Sequence, residues 1–101
     1  MNNVPRLIVT KRAAKGLERC RKFLAEKNEI AARRAAGEIG AHFKFLNQNR
    51  EIGRPLDDMP ELRELLIPFG GAGYICLYRY ERHENAIYIL AFRHQREAGY
   101  H

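Results

Sequence analysis

Four arginines of the C-terminal half, Arg63, Arg79, Arg93 and Arg96, stand in or beside segments with strand-like patterning, and His94 and Tyr100 lie close to the last two. Guanidinium, imidazole and phenol groups gathered on one surface could position and cleave an RNA phosphodiester. The arginines would hold the phosphate and offset charge in the transition state, while His94 or Tyr100 transferred a proton. Arg63, Arg93, His94, Arg96 and Tyr100 are therefore the candidate catalytic residues if the chain is a ribonuclease. Spacing alone also allows a plainer reading, in which the arginines are solvated and His94 merely ends a strand.

A second constellation is electrostatic. Lys11, Lys15, Arg19 and Lys22 recur at helical spacing on the side opposite Ala13, Leu17, Cys20 and Leu24, which share an apolar face at about 100° per residue. A stripe of this kind is commonly a solvated face. Here only Glu18 and Glu26 relieve it, which leaves a binding role open. The five tyrosines, Tyr74, Tyr78, Tyr80, Tyr88 and Tyr100, all follow residue 73. Interleaved with arginines they could stack bases, and they are equally ordinary strand formers. Gly70-Gly71-Ala72-Gly73 lacks the following helix and the lysine of a phosphate loop, so it reads as a hairpin turn. Cys20 and Cys76 show no metal-ligand spacing and read as two buried free thiols in a reducing compartment. No metal site and no cofactor are expected.

These side chains need elements to position them. Residues 6–9 read as a first strand, and Thr10 as the N-cap of a helix over residues 11–28. A second helix over residues 29–46 carries its apolar stripe on Ala32, Ala35, Ile39, Phe43 and Leu46. Asn28 is a natural hinge, so the two helices should form an antiparallel hairpin. Gly53, Pro55 and Pro60 break residues 47–60 into loop. The period then becomes strand-like over residues 61–69, 74–81 and 86–93, joined by short Gly-rich or polar connectors. The expected fold is α+β: an antiparallel sheet, made of a leading strand and a three-strand meander, packed against the N-terminal helical hairpin. The tail, residues 95–101, reads as a short turn or helix.

At 101 residues the chain has room for one core, and a single domain over residues 1–101 is expected. No apolar run approaches the roughly 18 residues that would span a bilayer. The start of the chain is too short and polar for a secretory signal, so a cytoplasmic location is expected. The net charge of +6 is uneven: residues 1–50 hold 12 Lys and Arg against 4 Asp and Glu, whereas residues 51–101 hold 6 against 8. The basic N-terminal half suits nucleic acid, an acidic protein or an anionic surface.

The stretch Met59-Pro60-Glu61-Leu62-Arg63-Glu64-Leu65, the pair Gly73-Tyr74, the strand Leu77-Tyr78-Arg79 and the run from Ile89 through Phe92-Arg93-His94-Gln95-Arg96-Glu97 resemble the RelE/ParE toxin superfamily. The likeness covers nearly the whole chain, and the segments around Gly70 and Phe92 look most like plasmid-stabilisation toxins. It implies a toxin of a type II toxin–antitoxin system, neutralised by a cognate acidic antitoxin in a hetero-oligomer. With the charge distribution, it makes Lys11, Lys15, Arg19 and Lys22 candidate antitoxin-binding residues. It also implies one of two targets: DNA gyrase, inhibited without catalysis as in ParE-like members, or ribosome-bound mRNA, cleaved without a metal as in RelE-like members. In the ribonuclease pattern an arginine follows the Gly-Tyr pair. Here Ile75 stands there, and Glu64-Leu65-Leu66 follows Arg63. His94 or Arg96 could take the basic role and Tyr100 the aromatic one. The departures favour gyrase over the ribosome.

Overall fold

A computed structural model describes residues 4–100. The expectations drawn from residues 1–3 and from His101 lie outside the described residues. The chain runs β1 (Arg6–Val9), α1 (Lys11–Lys27), α2 (Glu29–Gln48), β2 (Arg54–Pro55), β3 (Arg63–Phe69), β4 (Ala72–Glu81) and β5 (Ala86–His94).

Single residues set the helix boundaries. Thr10 has an extended backbone, and its Oγ1 accepts from the Ala13 amide at 3.3 Å while donating to the Ile89 carbonyl at 2.7 Å. One hydroxyl thus caps α1 and ties it to β5. Asn28 works in both directions. Its amide closes α1 on Leu24, and its Oδ1 accepts from Ala31 to open α2. With one residue between the helices the chain reverses into the expected hairpin.

The sheet order is β1-β5-β4-β3-β2. The α+β class stands, with two corrections. The leading strand is not antiparallel: β1 runs parallel to β5, so the sheet is mixed. No hairpin turn dictates the direction of β1; α1 leaves it at once and lays Ala13, Gly16 and Cys20 against β5, and β1 comes to rest beyond β5. The stretch expected to be all loop also contributes β2, where Arg54 pairs with Glu64 and Pro55 with Arg63. A proline is tolerated there because β2 is an edge strand.

A bulge in β5 decides which way its side chains face. Leu77 pairs with Ala91 but Tyr78 pairs with Ile89, so Leu90 is an extra residue. The insertion reverses the alternation along β5. Ile87 and Ile89 face the helices before it, and Phe92 does so after it. The core lies between sheet and hairpin and gathers Ala13, Ala35, Leu46, Ile67, Cys76, Tyr78 and these three residues. Tyr74 stacks on Phe92 at 5.3 Å, and Phe43 of α2 meets Phe92 edge-on. Tyr74 and Tyr78 are therefore core residues, not a platform for bases. The tail after β5 forms turns and bends and no helix over residues 95–100.

Candidate functional site

The tail lies across part of the side of the sheet away from the helices, where Leu66 remains exposed. Arg93 leads it there: its Nη1 donates to the carbonyls of His94 and Gln95, each at 3.3 Å, and of Glu97 at 2.8 Å. The same guanidinium lies 5.1 Å from the centre of the Tyr100 ring, within cation–π range. The Tyr100 hydroxyl donates to Glu64 Oε2 at 2.7 Å, and Arg54 stands 3.6 Å from the other carboxylate oxygen. Arg93 pairs with Ile75, and Glu64 pairs with Leu77. Tyr100 thus reaches from β5 to β3 across β4. Ile75 and Ala91 are consequently buried although they point away from the helices. Burial, the hydrogen bond to Glu64 and the charge of that carboxylate together push the Tyr100 phenol above its ordinary range.

His94 takes the other side. Its ring meets Tyr74 edge-on at 5.5 Å, and its Nδ1 accepts from the Arg96 amide at 3.1 Å. The His94 amide donates to Glu97 Oε2 at 2.7 Å. Arg19 of α1 grips the same carboxylate with two arms, Nε at 3.1 Å and Nη2 at 3.2 Å. The Cys20 thiol is 3.9 Å away. Its pKa is pushed up to about 11, first by burial and then by the Glu97 charge, which leaves it a poor nucleophile. Cys76, inside β4, is raised to about 12 by burial alone.

Of the five candidate catalytic residues, only Arg93 and Tyr100 bring their side chains together; His94 meets Arg96 through the Arg96 backbone amide. His94 faces the helices. Arg96 is exposed on the tail. Arg63 donates to the carbonyls of Glu51 at 3.0 Å and Gly53 at 2.7 Å. With the Tyr78 hydroxyl, which accepts from Gly53 and donates to Arg50, it pins the segment leading into β2. Among the described residues no group of His, Cys, Asp and Glu is arranged to hold a metal ion. No described helix is long and apolar enough to cross a membrane.

On α1, Lys11, Lys15 and Lys22 are exposed. Arg19 departs from the expected uniform stripe, because it turns toward β5 and the tail. A shallow groove of about 520 Å³ is lined by Lys15, Arg19, Lys22, Phe23 and Glu26. The first turn of α1 carries Lys11 and Arg12 and no acid, so their charge adds to the positive end of the helix dipole.

Sequence reasoning left Gly16, Glu64 and Glu97 without roles. Gly16 lies where a Cβ would run into the Phe92 carbonyl. Its place between Ala13 and Cys20 on the apolar face was the available signal. Nothing in the spacing marks the two glutamates, whose partners lie 36 and 78 residues away in the chain.

A helical hairpin on one face of a mixed sheet and a tail across the other define a small α+β domain with known counterparts. A chain of the chromosomal ParDE TA system from P. aeruginosa has the same fold, with a TM-score of 0.70 at 24% identity, covering 92% of this chain and 96% of that one. Toxin RelE3 of Caulobacter vibrioides is 33% identical over 86 residues, which is 85% of this chain and 89% of the relative. The family model for the ParE toxin of type II toxin–antitoxin system, parDE, matches residues 7–99. The chain belongs to this ParE toxin family and is the toxin of a type II toxin–antitoxin system.

Proposed function

We propose that this toxin acts in the cytoplasm by binding DNA gyrase and inhibiting it without catalysis, and that an acidic antitoxin neutralises it from the α1 side. The observation that carries the choice of target is the division of the nuclease candidates. Arg93 and His94 lie on opposite sides of the sheet, Arg63 is spent on loop carbonyls, and the Tyr100 hydroxyl is held by Glu64. A general acid or base must come within hydrogen-bond reach of the phosphodiester that the arginines hold. At position 75, beside Arg93, a buried isoleucine stands where the ribonuclease pattern has a cation.

The antitoxin reading rests on charge. Lys11, Lys15 and Lys22 are exposed, and an acidic partner approaching them would be steered by long-range attraction that salt screens. Expression of the toxin alone is expected to arrest bacterial growth, and co-expression of the antitoxin to restore it. Association rates that fall with ionic strength support an α1 interface; rates indifferent to salt remove it.

The target is tested with purified protein. Supercoiling by gyrase is inhibited or cleaved DNA is trapped, ribosome-bound mRNA stays intact, and activity survives His94→Ala better than changes at Arg93 and Arg96. The outcome that overturns the gyrase reading is A-site cleavage of ribosome-bound message, slowed about 10²–10⁴-fold by His94→Ala or Tyr100→Phe.

A further inference from the structure

We infer that the outer side of α2 is a self-complementary surface through which two copies of this chain associate, Ile30 of each seating in the groove beside Phe45 of the other. The surface uses none of the cations of α1, so it stands apart from the antitoxin reading and from the choice of target.

The side of α2 opposite Ala32, Ala35 and Leu46 is apolar at both ends. Ile30 is 68% exposed near its start and Phe45 51% exposed near its end. At 100° per residue Ile30, Gly37, Ala41 and Phe45 fall within about 80° of one another. Gly37 and Ala41 are exposed, and a Cβ at Gly37 would meet nothing. The stretch between the two large side chains is therefore flat, and a second helix can lie close along it. Past Phe45 a shallow groove of about 430 Å³ is lined in part by Phe45, Gln48, Arg50 and Ile52, and Ile52 is itself 45% exposed. One helix face thus holds a projecting apolar side chain and an apolar recess, roughly 22 Å apart along the axis.

Reversal makes these two features mates. A two-fold axis near Gly37 and Glu38 exchanges the ends of α2, so Ile30 of one copy comes over Phe45 and the recess of the other, and the contact is made twice. The same operation brings Arg34 within about one turn of Glu38 of the second copy. Both are exposed: the Arg34 guanidinium lies 5.9 Å from the centre of the Phe69 ring, and the Glu38 carboxylate 3.9 Å from His42. This reciprocity favours a second copy over an unrelated partner. A nucleic acid fits less well, because Glu38 and Glu51 flank the apolar anchors. Arg33 and Lys44 of the two copies come near each other, and each chain carries +6, so the apolar ends drive association and salt strengthens it. One helix from each side makes a small interface, which sets the affinity at micromolar or weaker.

Sedimentation equilibrium of the full chain alone tests this. The mean mass rises from monomer toward dimer between roughly 1 and 100 μM protein, and further at high salt than at low. Ile30→Asp and Ile52→Asp, both at exposed positions, each weaken association by about 10-fold or more. Phe23→Asp, at an exposed apolar residue of α1 away from this surface, leaves it unchanged. Arg34→Glu and Glu38→Arg each weaken it, and the two together restore it, which a general change in solubility would not do. Circular dichroism and urea unfolding at submicromolar protein, where the chain is monomeric, show that each variant is folded and read the stability of the single copy. A chain that stays monomeric to roughly 100 μM overturns the proposal, as does a dimer that survives Ile30→Asp and Ile52→Asp. A dimer that Phe23→Asp breaks, or one that weakens as salt rises, overturns it too, because the contact would then lie elsewhere or be held by ions.

Discussion

On the helix side, Phe92, Tyr74, Ile67 and Cys76 interlock with α1 and α2, and burial there is continuous and apolar. On the other side, residues 95–100 cover Ile75 and Ala91 through directional bonds made by Arg93, Tyr100 and Glu64. Apolar packing is additive, and no single contact decides it. The tail depends on a few groups, each removable by one substitution. Its guanidinium is imperfectly used, since Arg93 Nε is buried with no hydrogen-bond partner. The open side is therefore the low-stability end of the molecule, able to yield while the core holds.

The strongest way to break this comparison is Phe92→Ala. It removes the ring that Tyr74 and Phe43 contact, at a residue only 2% exposed. A loss of about 3–5 kcal/mol is expected in urea unfolding. A loss below about 1 kcal/mol would mean that the helix side is not what holds the fold.

A smaller effect separates two glycines of the hairpin. At Gly16 a Cβ meets the backbone carbonyl of Phe92, where neither partner can move cheaply, so Gly16→Ala costs about 1–3 kcal/mol. At Gly37, on the outer side of α2, a Cβ meets nothing, and Gly37→Ala stabilises by about 0.5–1 kcal/mol through helix propensity. Chemical denaturation of the two variants gives opposite signs if α1, and not the outer side of α2, is the closely seated surface. Equal effects would remove that distinction.

The hairpin, the four longer strands and the apolar stripes were legible because each follows a local period. Ala13 and Cys20, and then Ala32, Ala35 and Leu46, are buried as their spacing implies. The direction of β1 was not legible, because it depends on where α1 lies and no residue of the strand encodes that. The candidate site suffered most from Leu90. Before the bulge the helix-facing residues are Ile87 and Ile89, and unbroken alternation would carry Ala91 and Arg93 to that face and His94 away from it. The extra residue exchanges them, and a run as apolar as Ile89-Leu90-Ala91-Phe92 gives no sign of where the exchange falls. The ion pair of Arg19 was hidden for a related reason: its partner Glu97 is remote in sequence, so the helical period shows only a charge among charges.

The finest distinction lies in the tail itself, and Tyr100→Phe probes it with the least disturbance. The substitution keeps the cation–π contact with Arg93 and deletes only the hydroxyl that donates to Glu64. Losing one hydrogen bond to a charged acceptor costs about 1–2 kcal/mol near neutral pH. Exchange should rise mainly over residues 95–100 and at Ile75 and Ala91, with the helix side unchanged. The sign with pH follows from the direction in which the phenol is shifted. Its folded pKa is raised, by burial first and by Glu64 next, so the folded state holds the proton more tightly than the unfolded chain, where the phenol titrates near about 10. The hydroxyl's contribution is therefore complete below about pH 10 and is lost as pH climbs toward the higher folded value. Tyr74, Tyr78 and Tyr88 are raised too, but they titrate alike in both proteins and cancel from the difference. Wild type should exceed Tyr100→Phe in stability by a constant margin from pH 7 to about 9, and the margin should shrink above about pH 10. A margin that stays flat through the alkaline range would mean that the phenol is free in solution and that the tail does not close the open side of the sheet.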